Sequence, residues 1–334
     1  IWWLPDASAQ MRFMGQDLYG NEWIRPGQTY WKIPVAEDGI YRISAPVLEA
    51  AGIPLDKVAG GNFRLYKLGR EVPMIRSTTG LLGPTGYLLF YGSKNRGELD
   101  EALFDRPDEM GNPQHSMFTD TAVYYLHWED QPGGMEIALI PNDLSAPVPK
   151  DPYYRRKAIE VLHESSFKRG VSFGSDQKFP LFDAAQGFSS ALFRTRDFSL
   201  NFPAFYTSGP DAMVRVRLTG FGDDNTAHRA NFYVDGISKG TELFAGYKVR
   251  TKELVIPNFE VQTSMSLRIA GEASPEDRLA VSHIEYEYPA TFNFQFAKWA
   301  RMYIDKGVIR KYIELEQFDG GDEISAYDLS NGYY

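Results

Sequence analysis

Three consecutive loop residues, Asp223, Asp224 and Asn225, have the side chains best suited to metal chemistry. Ca²⁺ binds several carboxylate and carbonyl oxygens supplied by a loop, so this triplet predicts a calcium site. The spacing does not match an EF-hand loop, and Asx-rich turns also form because these side chains hydrogen-bond to their own backbone. Both interpretations stay open, and calcium is the one cofactor that the sequence suggests.

The residues that usually carry acid–base or nucleophilic catalysis show no catalytic pattern. Five histidines are present: His115, His127, His163, His228 and His283. No two of them have the i, i+4 spacing of a helical metal site, and we expect His127 and His283, within predicted strands, to be packing or surface residues. The sequence has no cysteine, which excludes disulfides, thiolate metal sites and a cysteine nucleophile within these residues. Residues 170–174 (GVSFG) have the letters of a serine elbow around Ser172, but no strand-to-helix context surrounds them.

Two acidic clusters and three aromatic residues suggest carbohydrate chemistry. The clusters are residues 105–109 (DRPDE) and 319–323 (DGGDE), and a glycosidase needs two carboxylates roughly 5–10 Å apart across a cleft. We expect both clusters to be solvated loop faces. Tyr153, Tyr154 and Trp299 could form a platform for sugar rings, although such aromatics more often lie in a core or between domains. A secreted carbohydrate-binding jelly-roll module is therefore the alternative functional class.

Short strands must position these residues. Residues 213–220 (MVRVRLTG) alternate in hydrophobicity, which places Val216 and its neighbours two residues away on one face. Asp235 and Gly236 predict a two-residue hairpin turn. Many similar runs follow one another at fairly regular spacing, separated by turns. The sequence therefore predicts an all-β fold of two β-sandwich or jelly-roll-like domains in tandem, with little helix.

The segment of residues 20–43 (GNEWIRPGQTYWKIPVAEDGIYRI) has the pattern of a β-hairpin. Its two β-rich runs, residues 29–35 and 39–43, are separated by a turn that ends in Gly39. Glycine can take the positive φ that a tight turn needs. A short helix over residues 47–51 is predicted to follow.

Composition indicates the domain boundaries and the compartment. Residues 141–152 (PNDLSAPVPKDP) are rich in Pro and Asp, which is typical of a linker. Residues 7–9 (ASA) form a small-x-small cleavage pattern behind an apolar remnant, which predicts a secretory signal and an exported chain; an ordinary N-terminal tail is the alternative. The predicted regions are an N-terminal arm over residues 1–17, a β-domain over 18–145, a jelly-roll-like sandwich over 153–290 and a further β segment over 291–334.

The charge balance argues against nucleic acid as a partner. The chain has 35 Lys and Arg against 44 Asp and Glu, a net charge of −9, and such a surface repels phosphate backbones. No apolar run approaches the roughly 18 residues that a membrane-spanning helix needs.

Several stretches resemble, in the same order, the N-terminal part of the gingipain-type cysteine peptidases of Bacteroidetes. They are residues 20–43, residues 87–100 (YLLFYGSKNRGELD), residues 116–126 (SMFTDTAVYYL) and residues 228–288, which end in SHIEYEY. Residues 324–331 (ISAYDLSN) are similar to the strand that precedes the caspase-like catalytic domain in that family, with Gly332 at the family's proline position. Within the family, the similarity is to the sortases of the type IX secretion system.

The resemblance implies that this chain is the non-catalytic N-terminal scaffold of a longer cysteine peptidase, a hydrolase whose catalytic His and Cys lie in a further domain. It implies that the whole protein cleaves C-terminal sorting signals from cargo at the cell surface and attaches the cargo to an anionic lipopolysaccharide. The implied partners are the chain's own C-terminal peptidase domain, an outer-membrane β-barrel of the PorV type and the secreted cargo proteins. No catalytic residue is assigned within these 334 residues, and we expect no peptidase activity from the chain alone.

Overall fold

A computed structural model describes residues 12–13, 16–17, 23–138, 148–167, 182–223, 225–304, 311–321 and 324–329. Strands account for 47% of the structure and helices for 7%. This confirms the prediction of an all-β fold with little helix.

The chain divides into two compact units that each contain more than one segment. The first unit comprises Ile1–Ala102, Phe118–Asn142 and Ser325–Tyr334, and the second comprises Leu103–Met117 and Asp143–Ile324. Residues 103–117 thus interrupt the first unit in sequence and belong to the second. Most of the predicted linker, residues 141–147, lies outside the described residues, so a boundary at that linker stays a prediction.

The first unit is built from two antiparallel sheets. Its strands are β1 (Arg12–Phe13), β2 (Gln16–Asp17), β3 (Trp31–Val35), β4 (Gly39–Ser44), β5 (Phe63–Lys67), β6 (Arg70–Glu71), β7 (Ile75–Arg76), β8 (Tyr87–Gly92) and β9 (Ala122–Trp128). The sheet orders are β3-β9-β5-β6 and β4-β8-β7, with β1 and β2 as a separate pair. One apolar core unites residues from both larger sheets, including the fully buried Val35, Phe63 and Leu88.

The predicted hairpin over residues 20–43 is wrong, although both of its strands exist. β3 pairs with β9 and β4 pairs with β8, so the two strands enter different sheets. The Asp38 side chain fixes the connection, because its Oδ1 accepts a hydrogen bond from the Lys94 backbone N at 3.1 Å and its Oδ2 binds the Arg96 guanidinium. Gly39 accordingly has no positive φ and begins strand β4 instead.

The single α-helix of the described residues, α1 (Ala45–Ala50), begins two residues before the predicted 47–51. Pro46 fits its first turn, where the missing backbone N–H is not needed. Gly52 follows the helix with φ +83°, and its N donates to the Glu49 oxygen at 2.8 Å. Such a left-handed glycine ends a helix without steric cost. No described helix has both the length and the apolar composition to cross a bilayer.

The second unit is a sandwich of two four-stranded antiparallel sheets. Its strands are β10 (Tyr154–Val161), β11 (Ser165–Phe167), β12 (Gly187–Ser189), β13 (Thr195–Asn201), β14 (Ala212–Phe221), β15 (Ala227–Val234), β16 (Ile237–Ala245), β17 (Val249–Ile256), β18 (Ser264–Gly271), β19 (Arg278–Ala290), β20 (Asn293–Ala297) and β21 (Glu316–Phe318). The sheet orders are β10-β19-β14-β17 and β13-β18-β15-β16. Strands β11 and β12 form an antiparallel pair, and β20 and β21 a parallel one. Short 3-10 helices cover Gly60–Asn62, Asp100–Leu103, Pro107–Glu109 and Asn258–Glu260.

Alternation in β14 correctly predicted the core face of this sandwich. Val216 is fully buried, and its neighbours two residues away on either side are at most 1% exposed. The turn between β15 and β16 is also confirmed. Asp235 and Gly236 have φ of +46° and +81°, and Val234 lies opposite Ile237, as a two-residue hairpin with both central φ angles positive requires.

Candidate functional site

The loop predicted to bind calcium connects β14 to β15. Oδ1 of Asp223 accepts hydrogen bonds from the Asn225 backbone N at 3.0 Å and from the Thr226 hydroxyl at 2.9 Å. The bond from Thr226 is the main reason why the pKa of the Asp223 carboxyl is lowered. Asp224 lies outside the described residues. The described part of the loop is an Asx-type turn, and calcium binding by the triplet stays a prediction.

Metal-ligating side chains do not cluster within the part of the chain that the structure describes. No group of three or more His, Asp or Glu residues there is arranged to hold a metal ion. His115 and His163 do come together, with ring centroids 5.5 Å apart and planes at 16°. No spacing in the sequence indicated this stacked pair.

His127 of β9 lies within a layer of aromatic rings in the first unit. Its ring centroid is 4.8 Å from that of Tyr30 and 5.6 Å from that of Tyr66, and Trp23 stacks on Tyr66 at 5.3 Å. Burial lowers the pKa of the His127 imidazole, because a charged ring loses its hydration there. The neutral ring therefore serves as a packing group, in agreement with the prediction for strand histidines.

A buried His–Asp pair in the second unit was not predicted. His228 of β15 donates from Nδ1 to Oδ1 of Asp277 at 2.7 Å, and neither side chain is exposed; we place the proton on Nδ1 because a carboxylate can only accept. Oδ2 of Asp277 also accepts from the backbone N of Arg229 at 3.1 Å and of Ala273 at 3.0 Å. The carboxylate thus ties the loop that precedes β19 to strand β15.

Arg217 of β14 binds the backbone of residues 108–111, which belong to the same unit as this strand. Its guanidinium donates to three backbone oxygens, those of Met110 at 2.5 Å, Asp108 at 3.2 Å and Gly111 at 3.2 Å. Asp108 lies within the 3-10 helix Pro107–Glu109, and Met110 and Gly111 follow it. The C-terminal end of a helix leaves backbone carbonyls without partners, and a cation can bind them. His283 pairs with Arg217 in register. Burial and, next, the positive charge of Arg217 lower the pKa of His283 to about 3.

The acidic clusters give no described pair of catalytic carboxylates. In the first cluster, Arg106 Nε lies 3.0 Å from Glu109 Oε1 and 3.5 Å from Asp108 Oδ1, so the charges form surface ion pairs. In the second cluster, Asp322 and Glu323 lie outside the described residues.

The three aromatics predicted to form a sugar platform have different environments. Tyr154 is buried in the core, with its ring centroid 5.3 Å from that of Phe292. Tyr153 is half-buried and stacks on Tyr206 at 5.4 Å. Trp299 is 72% exposed. Through Tyr206, Tyr153 packs on the loop that follows β13.

An open groove of about 600 Å³ lies between two loops of the second unit, one after β13 and one before β18. Four polar residues line it: Thr207, Gln262, Thr263 and Ser264. Phe205 and Val261 form its apolar wall. None of the described residues that line the groove has an ionisable side chain.

Asn258 braces the two loops that form this groove. Its Nδ2 donates to the backbone oxygens of Tyr206 and Pro210, both at 3.2 Å, and its backbone N donates to Oδ1 of Asp211 at 2.8 Å. The backbone N of Phe202, the first residue after β13, also donates to the Thr263 backbone oxygen at 2.8 Å. The groove is therefore held in place before any ligand binds, which makes it the candidate functional site.

Comparison with known proteins gives a partial structural similarity. No family model matches the sequence, and no curated protein matches it. Dimeric latent PorU from Porphyromonas gingivalis is similar over 80% of this chain and 25% of the PorU chain, at 14% identity and a TM-score of 0.47. The chain therefore spans about a quarter of the length of that protein.

Two carbohydrate-binding modules are each similar over 39% of the chain. One is the CBM36-1 domain of a multidomain xylanase from the hindgut metagenome of Trinervitermes trinervoides, with 96% of that domain covered, 13% identity and a TM-score of 0.26. The other is a CBM36 module in complex with calcium and xylotriose, with 98% covered, 13% identity and a TM-score of 0.24. Because all three TM-scores are below 0.5, these similarities assign no function to the chain.

Proposed function

We propose that this chain is a non-catalytic β scaffold region of a PorU-like type IX secretion sortase, a gingipain-type cysteine peptidase. The observation that carries the proposal is the structural use of the buried histidines. His127 packs among aromatic rings, His228 is held by Asp277, and His283 has a pKa of about 3 beside Arg217. These imidazoles support the fold, and the sequence supplies no thiol for them to activate.

The stretches that resemble the family also support a scaffold role. Strand β4 contains the end of the first stretch and β8 lies in the second, and these strands pair from Gly39 opposite Gly92 to Ser44 opposite Tyr87. Strand β9 lies mostly in the third stretch and pairs with β3 and β5. The resembling residues of these three stretches thus lie largely in paired strands, as a scaffold role requires.

Under this proposal, the whole protein is exported to the cell surface, where its peptidase domain cleaves the C-terminal sorting signals of secreted cargo. The β scaffold positions that domain and contacts an outer-membrane barrel of the PorV type. The net charge of −9 favours protein partners over phosphate-rich ones.

Titration calorimetry between the purified 334-residue chain and the purified peptidase domain of a PorU-like sortase tests the proposal. We expect saturable one-to-one binding, and we expect a detergent-solubilised PorV-type barrel to bind at a separate surface. A caspase-like peptidase from an unrelated family is the control. Absence of binding to both partners, or equal binding to the control, contradicts the scaffold function.

A further inference from the structure

The braced groove between the loops after β13 and before β18 has the size of a ligand site. Its volume of about 600 Å³ lies in the range of roughly 300–1,000 Å³ that is usual for small-molecule sites. It is open to solvent, so it can hold one part of a longer molecule more readily than it can enclose a small metabolite.

The lining excludes ligands that bind through charge. The polar residues that line it are Thr207, Thr263 and Ser264, which carry hydroxyls, and Gln262, which carries an amide. Glu260, the acidic residue next to Val261 in sequence, is paired with Lys239 at 2.5 Å. Phosphates and carboxylates are bound mainly by cations, and divalent metals by carboxylates. A lining of hydroxyl and amide groups instead matches a neutral ligand that carries many hydroxyls.

The apolar side of the groove fits the same ligand class. Phe205 presents a half-buried ring whose position is fixed by the core, since its centroid lies 6.4 Å from that of Tyr288. The axial C–H groups of a sugar ring pack on an aromatic surface while its hydroxyls bind polar side chains. The loop before β18 also contains Phe259, which is 87% exposed.

We propose that this groove binds a neutral oligosaccharide. The backbone there is already ordered: Ala204 is held at φ +56°, and the Asn258 hydrogen bonds fix both loops. Little conformational entropy is then lost on binding, which compensates for the small number of polar contacts. The proposal does not depend on the scaffold function, because it rests on the groove lining and not on the buried histidines or the strand pairing.

A glycan array followed by calorimetry tests this site. The probes are neutral β-1,4-linked xylose, glucose and mannose oligosaccharides, with polygalacturonate and a sulfated glycosaminoglycan as anionic probes. We expect binding to at least one neutral probe and the same affinity at low and high salt, because no ion pair forms. Binding to anionic probes alone, a strong salt dependence or no binding at all would overturn the proposal.

Two matched variants locate the binding site. Thr263→Trp fills the groove, whereas Thr195→Trp makes the same change on an exposed residue at the opposite end of β13. We expect Thr263→Trp to weaken binding of the neutral probe by about tenfold or more and Thr195→Trp to leave it unchanged. Gln262→Ala, which adds no bulk to the fold, should also weaken it. Unchanged affinity in both groove variants would place the glycan elsewhere and overturn the proposal.

Discussion

Replacing Val216 by Asp tests the core of the second unit. Val216 is fully buried in the middle of β14. Loss of a buried valine costs about 1.5–3 kcal/mol, and an unpaired buried carboxyl adds a cost of similar or larger size. Lys252 lies opposite Val216 in register, but its Nζ already donates to the Thr241 backbone oxygen at 3.1 Å. We therefore expect a loss of about 4 kcal/mol or more, a large part of the ~5–15 kcal/mol that stabilises a typical domain.

The pH dependence of this variant follows from the same burial. Burial raises the pKa of the new carboxyl in the folded state, so the ionisation penalty is absent below the unfolded-state pKa and complete above the raised folded-state pKa. Urea unfolding, monitored by hydrogen exchange in peptides from β14 and β19, measures the loss of unfolding free energy. The control is Val255→Asp, because Val255 is 49% exposed. Equal unfolding midpoints for Val216→Asp and Val255→Asp would refute the reasoning.

Three further predictions concern single side chains. Gly220→Ala should destabilise the fold by about 1–3 kcal/mol in urea unfolding, because a Cβ there would lie 2.2 Å from the buried His228 imidazole. Gly39→Ala is the control and should cost less, because Gly39 has open space around it. Equal costs for the two variants would contradict the packing argument. Hydrogen bonding to Arg196 lowers the pKa of Glu164 to about 2, so the stabilisation by this pair should be present above pH 4.5 and lost as the pH falls through about 2. An NMR titration should show this midpoint and its return towards 4.5 in Arg196→Gln. His283 should remain neutral at pH 5 by NMR, because its pKa is about 3. Since this pKa is lowered, burial of His283 destabilises the folded state increasingly as the pH falls from 6.5 towards 3. An NMR titration midpoint above pH 6 would contradict its burial.

The sequence predicted strands better than their partners. Alternation placed Val216 correctly, because a period of two follows from strand geometry alone. The dipeptide Asp-Gly forms a hairpin turn at residues 235–236 but not at residues 38–39. Asp235 accepts a hydrogen bond from the Ser266 backbone N within its own sheet, whereas Asp38 binds the segment after β8 and sends the chain into another sheet. Such long-range contacts decide the pairing, and no local pattern contains them.

Long-range contacts also explain why the sequence does not predict the groove. The two groove loops lie far apart in sequence, and their brace, from Asn258 to the Tyr206 oxygen, joins residues 52 positions apart. The buried pair of His228 and Asp277 likewise joins residues 49 positions apart. Tyr153 of the predicted platform packs on Tyr206 of a groove loop. The sequence shows that Tyr153 is aromatic, but it does not show where its ring lies.

Peptidase activity of the purified chain tests the central claim most directly. Arg-, Lys- and mixed-sequence reporter peptides, assayed with and without a serine-directed phosphonate, show whether the chain cleaves peptides and whether a serine is the nucleophile. A non-catalytic scaffold predicts no turnover above the buffer rate, because a cysteine peptidase needs a thiolate beside a base and these 334 residues contain no cysteine. Turnover that the phosphonate blocks and that Ser172→Ala abolishes would contradict the scaffold function and the family resemblance on which it draws.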